Sequence, residues 1–265
     1  MKIALIGGGA MGEAMLAAIL NKKLSTPKAI SVSDINESRR RYLVQQYGVT
    51  AATNLLAVKT GDVVILAVKP KDLMGLTAEL RGQLRPSQLV LSVIAGARIN
   101  TLSLGLNHDC LVRVMPNTPA QIGEGMSVWT ATSEVSEQQR SWVKSMLGAM
   151  GKEIYVDNEK SLDMVTAVSG SGPAYVFLFV ETLVDAAVEI GLPRDMAEEL
   201  VLQTLLGSGH LLQKSGKPPA ELRRMVTSPG GTTAEALAKL DAGGFANLIK
   251  EAVKAAYRKA QQLGQ

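Results

Sequence analysis

The stretch Ile3-Ala4-Leu5-Ile6-Gly7-Gly8-Gly9-Ala10-Met11-Gly12 decides how the first part of this 265-residue chain is read. A short apolar run that breaks on glycines and passes at once into a helical pattern is a strand turning tightly into a helix. The glycines have separate duties there. Gly7 permits the turn, Gly9 lets the backbone approach a pyrophosphate, and Gly12 lets the helix pack closely on the strand. The first N–H groups of the helix then face the phosphates. A glycine-rich turn that binds nothing is the competing reading. Against it, a second apolar strand at 30–33 ends on Asp34, the acidic residue that completes a dinucleotide-binding fingerprint.

Outward from that stretch, apolar runs at 3–6, 30–33, 63–68, 89–94, 111–115 and 126–129 alternate with helical segments as far as about residue 156. The alternation predicts an α/β fold, a Rossmann-type doubly wound parallel sheet covered on both faces. Ligands of such sheets bind at the carboxyl ends of the strands. Those ends carry the glycine turn, Asp34, Ala67-Val68-Lys69-Pro70, Ala95-Gly96 and Met115-Pro116-Asn117-Thr118-Pro119. Beyond residue 157 the strand signals stop, and helical patterns are broken at Gly170-Ser171-Gly172-Pro173, Gly191-Leu192-Pro193, Lys217-Pro218-Pro219, Ser228-Pro229-Gly230-Gly231 and Gly243-Gly244. The chain therefore divides into a nucleotide-binding domain over 1–157 and an all-α helical bundle domain over 158–265.

The helical segments 174–190 and 194–213 hold more apolar residues than a lone bundle of this size can bury. That surplus predicts a homo-oligomer, the alternative being that the bundle buries this surface on its own first domain. Glu181, Asp185 and Glu189 recur every four residues, so they line one face of a bundle helix and argue against a membrane span.

Composition narrows the function. A net charge of +4 is small for this length, and the one dense basic run, Arg39-Arg40-Arg41, falls on an expected surface helix, which speaks against nucleic-acid binding. The single cysteine, Cys110, excludes an intrachain disulfide framework, fits a reducing compartment and reads as core filling. Met1-Lys2-Ile3 runs straight into the first strand and leaves no room for a cleaved signal, so the expected location is the cytoplasm.

A dinucleotide domain joined to helices suggests an oxidoreductase, and the residue types limit its chemistry. His108 and His210 both lie outside the glycine- and proline-rich strand ends and read as structural. HExxH, paired cysteines and clustered acidic ligands are all missing, so no metal site is expected. Ser169-Gly170-Ser171-Gly172 is not a GxSxG nucleophile elbow. Hydroxyls and backbone amides remain, concentrated at 168–173 and 228–233, where Pro, Gly and Ser or Thr together form the kind of helix start that holds a carboxylate. Ordinary helix capping explains Ser and Pro there equally well. Hydride transfer without a strong general acid suits a C=N bond, because an imine can arrive already protonated, whereas a carbonyl needs a proton as charge develops.

Taken together these motifs resemble the pyrroline-5-carboxylate reductase family over essentially the whole length. The resemblance is carried by Gly7 to Gly12, Ala67-Val68-Lys69-Pro70, Met115-Pro116-Asn117-Thr118-Pro119, Val168-Ser169-Gly170-Ser171-Gly172-Pro173-Ala174-Tyr175, Gly191-Leu192-Pro193-Arg194 and Ser228-Pro229-Gly230-Gly231-Thr232-Thr233-Ala234-Glu235-Ala236-Leu237. It implies reduction of 1-pyrroline-5-carboxylate to L-proline, the last step of proline biosynthesis. By the same resemblance, Gly7, Gly9, Ala10, Met11, Gly12, Asp34, Asn54, Ala67, Val68, Lys69 and Pro70 hold the cofactor, and Ala95, Gly96, Asn117 and Thr118 lie along its nicotinamide half. The substrate belongs to Ser228, Gly230, Gly231, Thr232, Thr233 and Ser171: its carboxylate sits on the amides of Gly231 and Thr232, and the catalytic hydroxyl of Thr233 meets the ring nitrogen. Dimers with interlocking helical domains, in many members assembled into decamers, are implied as well.

Cofactor choice is poised between two features. Asp34 favours a free ribose hydroxyl and NADH, while the arginines at 39–41 can neutralise a 2′-phosphate; the balance leans to NADPH, with NADH as the alternative. A β-hydroxyacid dehydrogenase is the nearest rival, yet the first basic residue after Gly170-Ser171-Gly172 is Arg194, so its catalytic lysine is missing. A non-catalytic NAD(P)H sensor is the rival from another class, and it would have no use for the 228–233 loop.

Overall fold

The structure, a computed structural model, describes residues 1–264. Strands β1 (Ile3–Ile6), β2 (Ile30–Ser33), β3 (Thr50–Ala51), β4 (Val63–Leu66), β5 (Leu89–Ser92), β6 (Leu111–Met115), β7 (Gly125–Ala131) and β8 (Gly151–Tyr155) form one sheet in the order β3-β2-β1-β4-β5-β6-β7-β8. Helices α1 (Ala10–Asn21), α2 (Glu37–Tyr47), α3 (Asn54–Thr60), α4 (Leu73–Leu80), α5 (Ile99–Leu106) and α6 (Glu137–Gly148) connect them. After β8 come α7 (Ser161–Val165), a π-helical turn (Thr166–Gly170), α8 (Gly172–Glu189), α9 (Arg194–Ser215), α10 (Pro219–Met225), α11 (Thr232–Ala242) and α12 (Phe245–Leu263).

Alternate residues of the central strands face opposite ways, and both faces are apolar because both are covered. Leu5, Ile65, Leu91 and Val112 pack with Met15 and Ile19 of α1 and Val143 and Met146 of α6. Ile6, Val64, Leu66 and Val90 pack with Ala57 of α3, Leu76 and Leu80 of α4 and Leu102 of α5. Each such leucine or isoleucine contributes about 1.5–3 kcal/mol of burial. Strands expected over 63–68 and 89–94 stop at Leu66 and Ser92. Ala67, Val68, Ala95 and Gly96 are thereby left in the loops at the sheet's carboxyl edge.

Three features depart from a purely parallel sheet of the expected runs. β7 is antiparallel to β6, because residues 116–124 hold only a 3₁₀ turn (Thr118–Ile122) and a parallel return needs a longer crossover. β3 is two exposed residues without an apolar run, and β8 is a half-exposed edge strand; neither carries the continuous apolar signal of a buried strand.

By compactness the chain forms two units, one of Met1–Ser171 with the residues from Ala256 onward, the other of Gly172–Ala255. The strands cease at Tyr155, close to the composition change at 157, but the chain stays with the first unit up to Ser171. Buried Arg113 of β6 holds it there, pairing with Glu159 at 2.9 Å and with Asp163 of α7 at 3.2 Å. Glu159 also accepts from Ile99 N–H at 2.8 Å, and Arg98 lies 3.6 Å from Asp163.

The second unit has a small core of Val184, Ala197 and Val201. Much of its apolar surface is outside that core: Phe177 is 65 % exposed, Leu178 62 %, and Leu202, Leu206 and Leu248 are also exposed. The helical run Ser161–Glu189 contains an 18-residue window with a mean hydropathy of 1.3 and is long and apolar enough to cross a membrane by length and composition.

Candidate functional site

The β1–α1 turn is built as its glycines predict. Gly7 has φ +100°, and a Cβ on it would stand 2.6 Å from the Ala67 carbonyl oxygen. A Cβ on Gly12 would stand 2.1 Å from the Gly7 oxygen, so helix and turn touch backbone to backbone. Gly9 differs: nothing lies within 4 Å of where its side chain would be. It is the N-cap of α1 with no side-chain cap bond, so the first-turn amides of Ala10 and Met11 open onto free space. That is a cradle for a pyrophosphate, with the helix dipole favouring the negative charge.

Side chains of β2 and α2 fix the turn in place. Gly7 N–H donates to the Ser33 oxygen at 2.8 Å. Asp34 accepts from Gly8 N–H at 2.7 Å on Oδ2 and from Asn36 N–H at 2.8 Å on Oδ1. Arg39 donates from Nε to the Gly8 oxygen and pairs with Glu13 of α1, which also accepts from the Tyr47 hydroxyl at 2.9 Å. Burial acts to raise the Glu13 carboxyl, but hydrogen bonds from Arg39, Tyr47 and Tyr42 and the Arg39 charge outweigh it and hold the group below its ordinary value. Burial and the same carboxylate push the Tyr47 phenol up to about 12.

The remaining expected cofactor residues also line the carboxyl edge of the sheet. Asn54 accepts from the Ser33 hydroxyl at 2.6 Å and donates to Glu79 at 2.7 Å. Ala67 and Val68 are half-buried, while Lys69 and Pro70 are exposed. Gly96, at φ +77°, has its own structural reason: a Cβ there would stand 2.7 Å from the Leu263 carbonyl at the end of α12. Asn117 accepts from Met126 N–H at 2.8 Å and so closes the β6–β7 connection, with Thr118 exposed beside it. Ile35, on the turn after β2, is 93 % exposed.

In the second unit, residues 228–233 do form an open helix start. Gly230 has φ +69°, and Gly231 N–H donates to the Ser228 oxygen at 3.1 Å. Gly231 is the N-cap of α11, again with no side-chain cap bond. The N–H groups of Ala234 and Glu235 turn back to its carbonyl. A Cβ at Gly231 would stand 2.5 Å from Ser228 Oγ, so only glycine lets that hydroxyl lie across the helix start. Thr232 is exposed and Thr233 half-buried.

The other expected cradle, at 168–173, spans the end of the π turn and the start of α8 at Gly172. Ser171, the bend between them, has its N–H already donated to the Thr166 oxygen at 2.8 Å. Pro173, the second residue of α8, lacks an N–H where a helix leaves its first N–H groups unpaired in any case. Ser169 and Ser171 therefore offer hydroxyls rather than a row of free amides.

His108 is buried, with Nε2 2.8 Å from the Gln88 oxygen, and His210 is exposed on α9. Cys110 is buried with Sγ 3.4 Å from Gln139 Oε1, and burial pushes its thiol up, away from reactivity.

Residues 159–263 match the family model described as pyrroline-5-carboxylate reductase dimerisation, and residues 2–96 match that of NADP oxidoreductase, coenzyme F420-dependent. The chain is 42 % identical over 266 residues to the pyrroline-5-carboxylate reductase of Synechocystis sp., covering 100 % of this chain and 98 % of the relative. It is 38 % identical to that of Arabidopsis thaliana, covering 100 % and 96 %. Among solved structures, the Plasmodium falciparum pyrroline carboxylate reductase with NADP bound is similar with a TM-score of 0.91 at 30 % identity, covering 100 % of this chain and 98 % of that one.

Proposed function

This chain belongs to the pyrroline-5-carboxylate reductase family, and we propose from that premise how its two uncapped helix starts divide the work of reducing 1-pyrroline-5-carboxylate to proline. The first holds the cofactor. Amides of Ala10 and Met11 at the start of α1 take the pyrophosphate, which the open space at Gly9 admits. Ala67, Val68, Lys69 and Pro70, at the carboxyl edge of the sheet, also hold the cofactor, and Ala95, Gly96, Asn117 and Thr118 lie along its nicotinamide half. Asn54, bonded to Ser33, serves the ribose end. NADPH is the cofactor of this reading, supported by the NADP oxidoreductase match over 2–96 and the NADP in the Plasmodium relative, with NADH as the alternative. When bound, a reduced nicotinamide supplies the hydride that a C=N bond needs.

The second helix start holds the substrate. Its carboxylate is received by the N–H of Thr232 and, once its turn bond to the Ser228 oxygen opens, by that of Gly231, with Ser228 and Gly230 shaping the approach. Thr233 accepts from the protonated ring nitrogen with its hydroxyl oxygen and orients the imine. No side chain at either start is a strong acid at neutral pH, in keeping with a substrate that arrives protonated. The uncapped N-terminus of α11, with the Ser228 hydroxyl lying over Gly231, is the observation that carries this assignment.

The chain self-associates: the matched dimerisation region contains the exposed apolar side chains of α8, α9 and α12. A homodimer is the smallest assembly that covers them, and assembly to a decamer, implied by the resemblance for many members, would build on it. The apolar run Ser161–Glu189 is then an interface helix, and the enzyme works in the cytoplasm, where Cys110 stays a buried free thiol. The test is oxidation of NADPH and of NADH by the purified protein with 1-pyrroline-5-carboxylate, against acetoacetate and a blank. Turnover on the imine alone is expected. Tight cofactor binding without turnover would favour a sensor instead.

A further inference from the structure

Three successive arginines lie in the first turns of α2, and each has a different partner. Arg39 is paired with Glu13 and bonded to the Gly8 oxygen. Arg41 is paired with Glu37 at 2.5 Å, the usual spacing of neighbours on one helix. Arg40 is unlike both: among the described residues no carboxylate lies within ion-pair distance of it, and its Nη1 donates to the main-chain carbonyl of Asp34. A half-buried guanidinium is thereby pinned at the carboxyl end of β2, where a dinucleotide's adenosine ribose belongs in this fold.

The acidic residue at the same place is already engaged. Each Asp34 carboxylate oxygen accepts a backbone N–H, one from Gly8 and one from Asn36, so the group braces the turn. Asn36 is engaged as well, capping α2 by accepting from the N–H groups of Ser38 and Arg39. With these groups in use, the guanidinium of the run left without a carboxylate partner is that of Arg40. A guanidinium has five N–H donors in a planar fork, and one bond to the Asp34 carbonyl leaves the remainder to meet a phosphate.

We propose that Arg40 reads the 2′-phosphate and is the residue that sets a preference for NADPH over NADH. The proposal rests on the cofactor assignment above. Binding of NADP⁺, NAD⁺ and 2′,5′-ADP to the full-length protein, measured by titration calorimetry, tests it without any turnover. Arg40→Gln is expected to weaken NADP⁺ and 2′,5′-ADP by about 10-fold or more, as loss of a charge-assisted hydrogen bond does, and to leave NAD⁺ within about twofold. Arg40→Lys keeps the charge without the fork and is expected to fall between wild type and Gln for NADP⁺ alone. Equal weakening of NADP⁺ and NAD⁺ would mean that Arg40 only supports the turn, and no weakening of either would remove it from the site; both overturn the proposal. A wild-type protein that binds NADP⁺ no better than NAD⁺ would overturn the NADPH reading along with it.

Discussion

At the scale of single residues, the two helix starts depend on side chains with different duties. Thr233 stands half-buried in the first turn of α11, and the proposed role of its hydroxyl is to meet the substrate nitrogen. Thr233→Val is expected to lower kcat by about 100-fold, the usual scale for one lost transition-state hydrogen bond, while the NADP⁺ dissociation constant stays unchanged and Thr233→Ser restores most of the rate. Steady-state kinetics alongside calorimetry would reveal both. Asp34 has a bracing duty: with its carboxylate on the amides of Gly8 and Asn36, Asp34→Ser should weaken NADP⁺ and NAD⁺ together and cost about 2 kcal/mol of stability in urea unfolding. A large change in the ratio of the two affinities would return the carboxylate to the role of a ribose reader. The fingerprint places Asp34 at the site, but the spacing carries no sign of which atoms its oxygens meet, because Gly8 is brought to it by the sheet.

At the scale of elements, polar pairs tie helices to the sheet. Glu13, Arg39 and Tyr47 join α1 to α2 beside the glycine turn. Because the folded Glu13 carboxyl lies below its ordinary 4.5, its contribution is complete above that value and is lost as the pH falls towards the lower folded value. Tyr47, raised from 10.0 to about 12, contributes fully below pH 10.0 and loses that contribution as the pH rises towards about 12. Thermal melts across pH should therefore show a Glu13-dependent acid limb that Glu13→Gln removes. The Arg113 pairs with Glu159 and Asp163 are more deeply buried, and Arg113→Met leaves Glu159 without a cation and Asp163 with only Arg98, 3.6 Å away. A loss of about 3 kcal/mol in unfolding free energy is expected, since removing one partner of a buried pair leaves its charge uncompensated. Neither cluster is legible in the sequence. Glu13 and Arg39, like Arg113 and Asp163, sit on separate elements, and only the folded sheet makes them neighbours.

At the scale of the whole molecule, the second unit leaves Phe177, Leu178, Leu202, Leu206 and Leu248 exposed within the region matched to dimerisation. Apolar surface of that extent is the signature of an interface. Sedimentation equilibrium should give a mass of at least twice the 28.1 kDa of one chain. The double substitution Phe177→Glu with Leu206→Glu should give monomer, with near-native far-UV dichroism of the sheet-bearing unit. A wild-type monomer at micromolar concentration would contradict self-association through this surface.

The amino-acid sequence by itself determined the strand–turn–helix opening, the alternation that makes an α/β sheet, the change to helices after residue 157, the surplus of apolar surface and the glycines at 7, 9 and 12. These are local patterns, and periodicity with turn chemistry records them directly. Tertiary structure alone decided that β7 runs antiparallel, that a π turn over 166–170 leads into the helix start at Gly172, and that Gly96 is a glycine because α12 ends against it. It also gave the three neighbouring arginines three different partners. Each of these depends on the length of a connection or on groups far apart in the chain, and only packing brings such groups together.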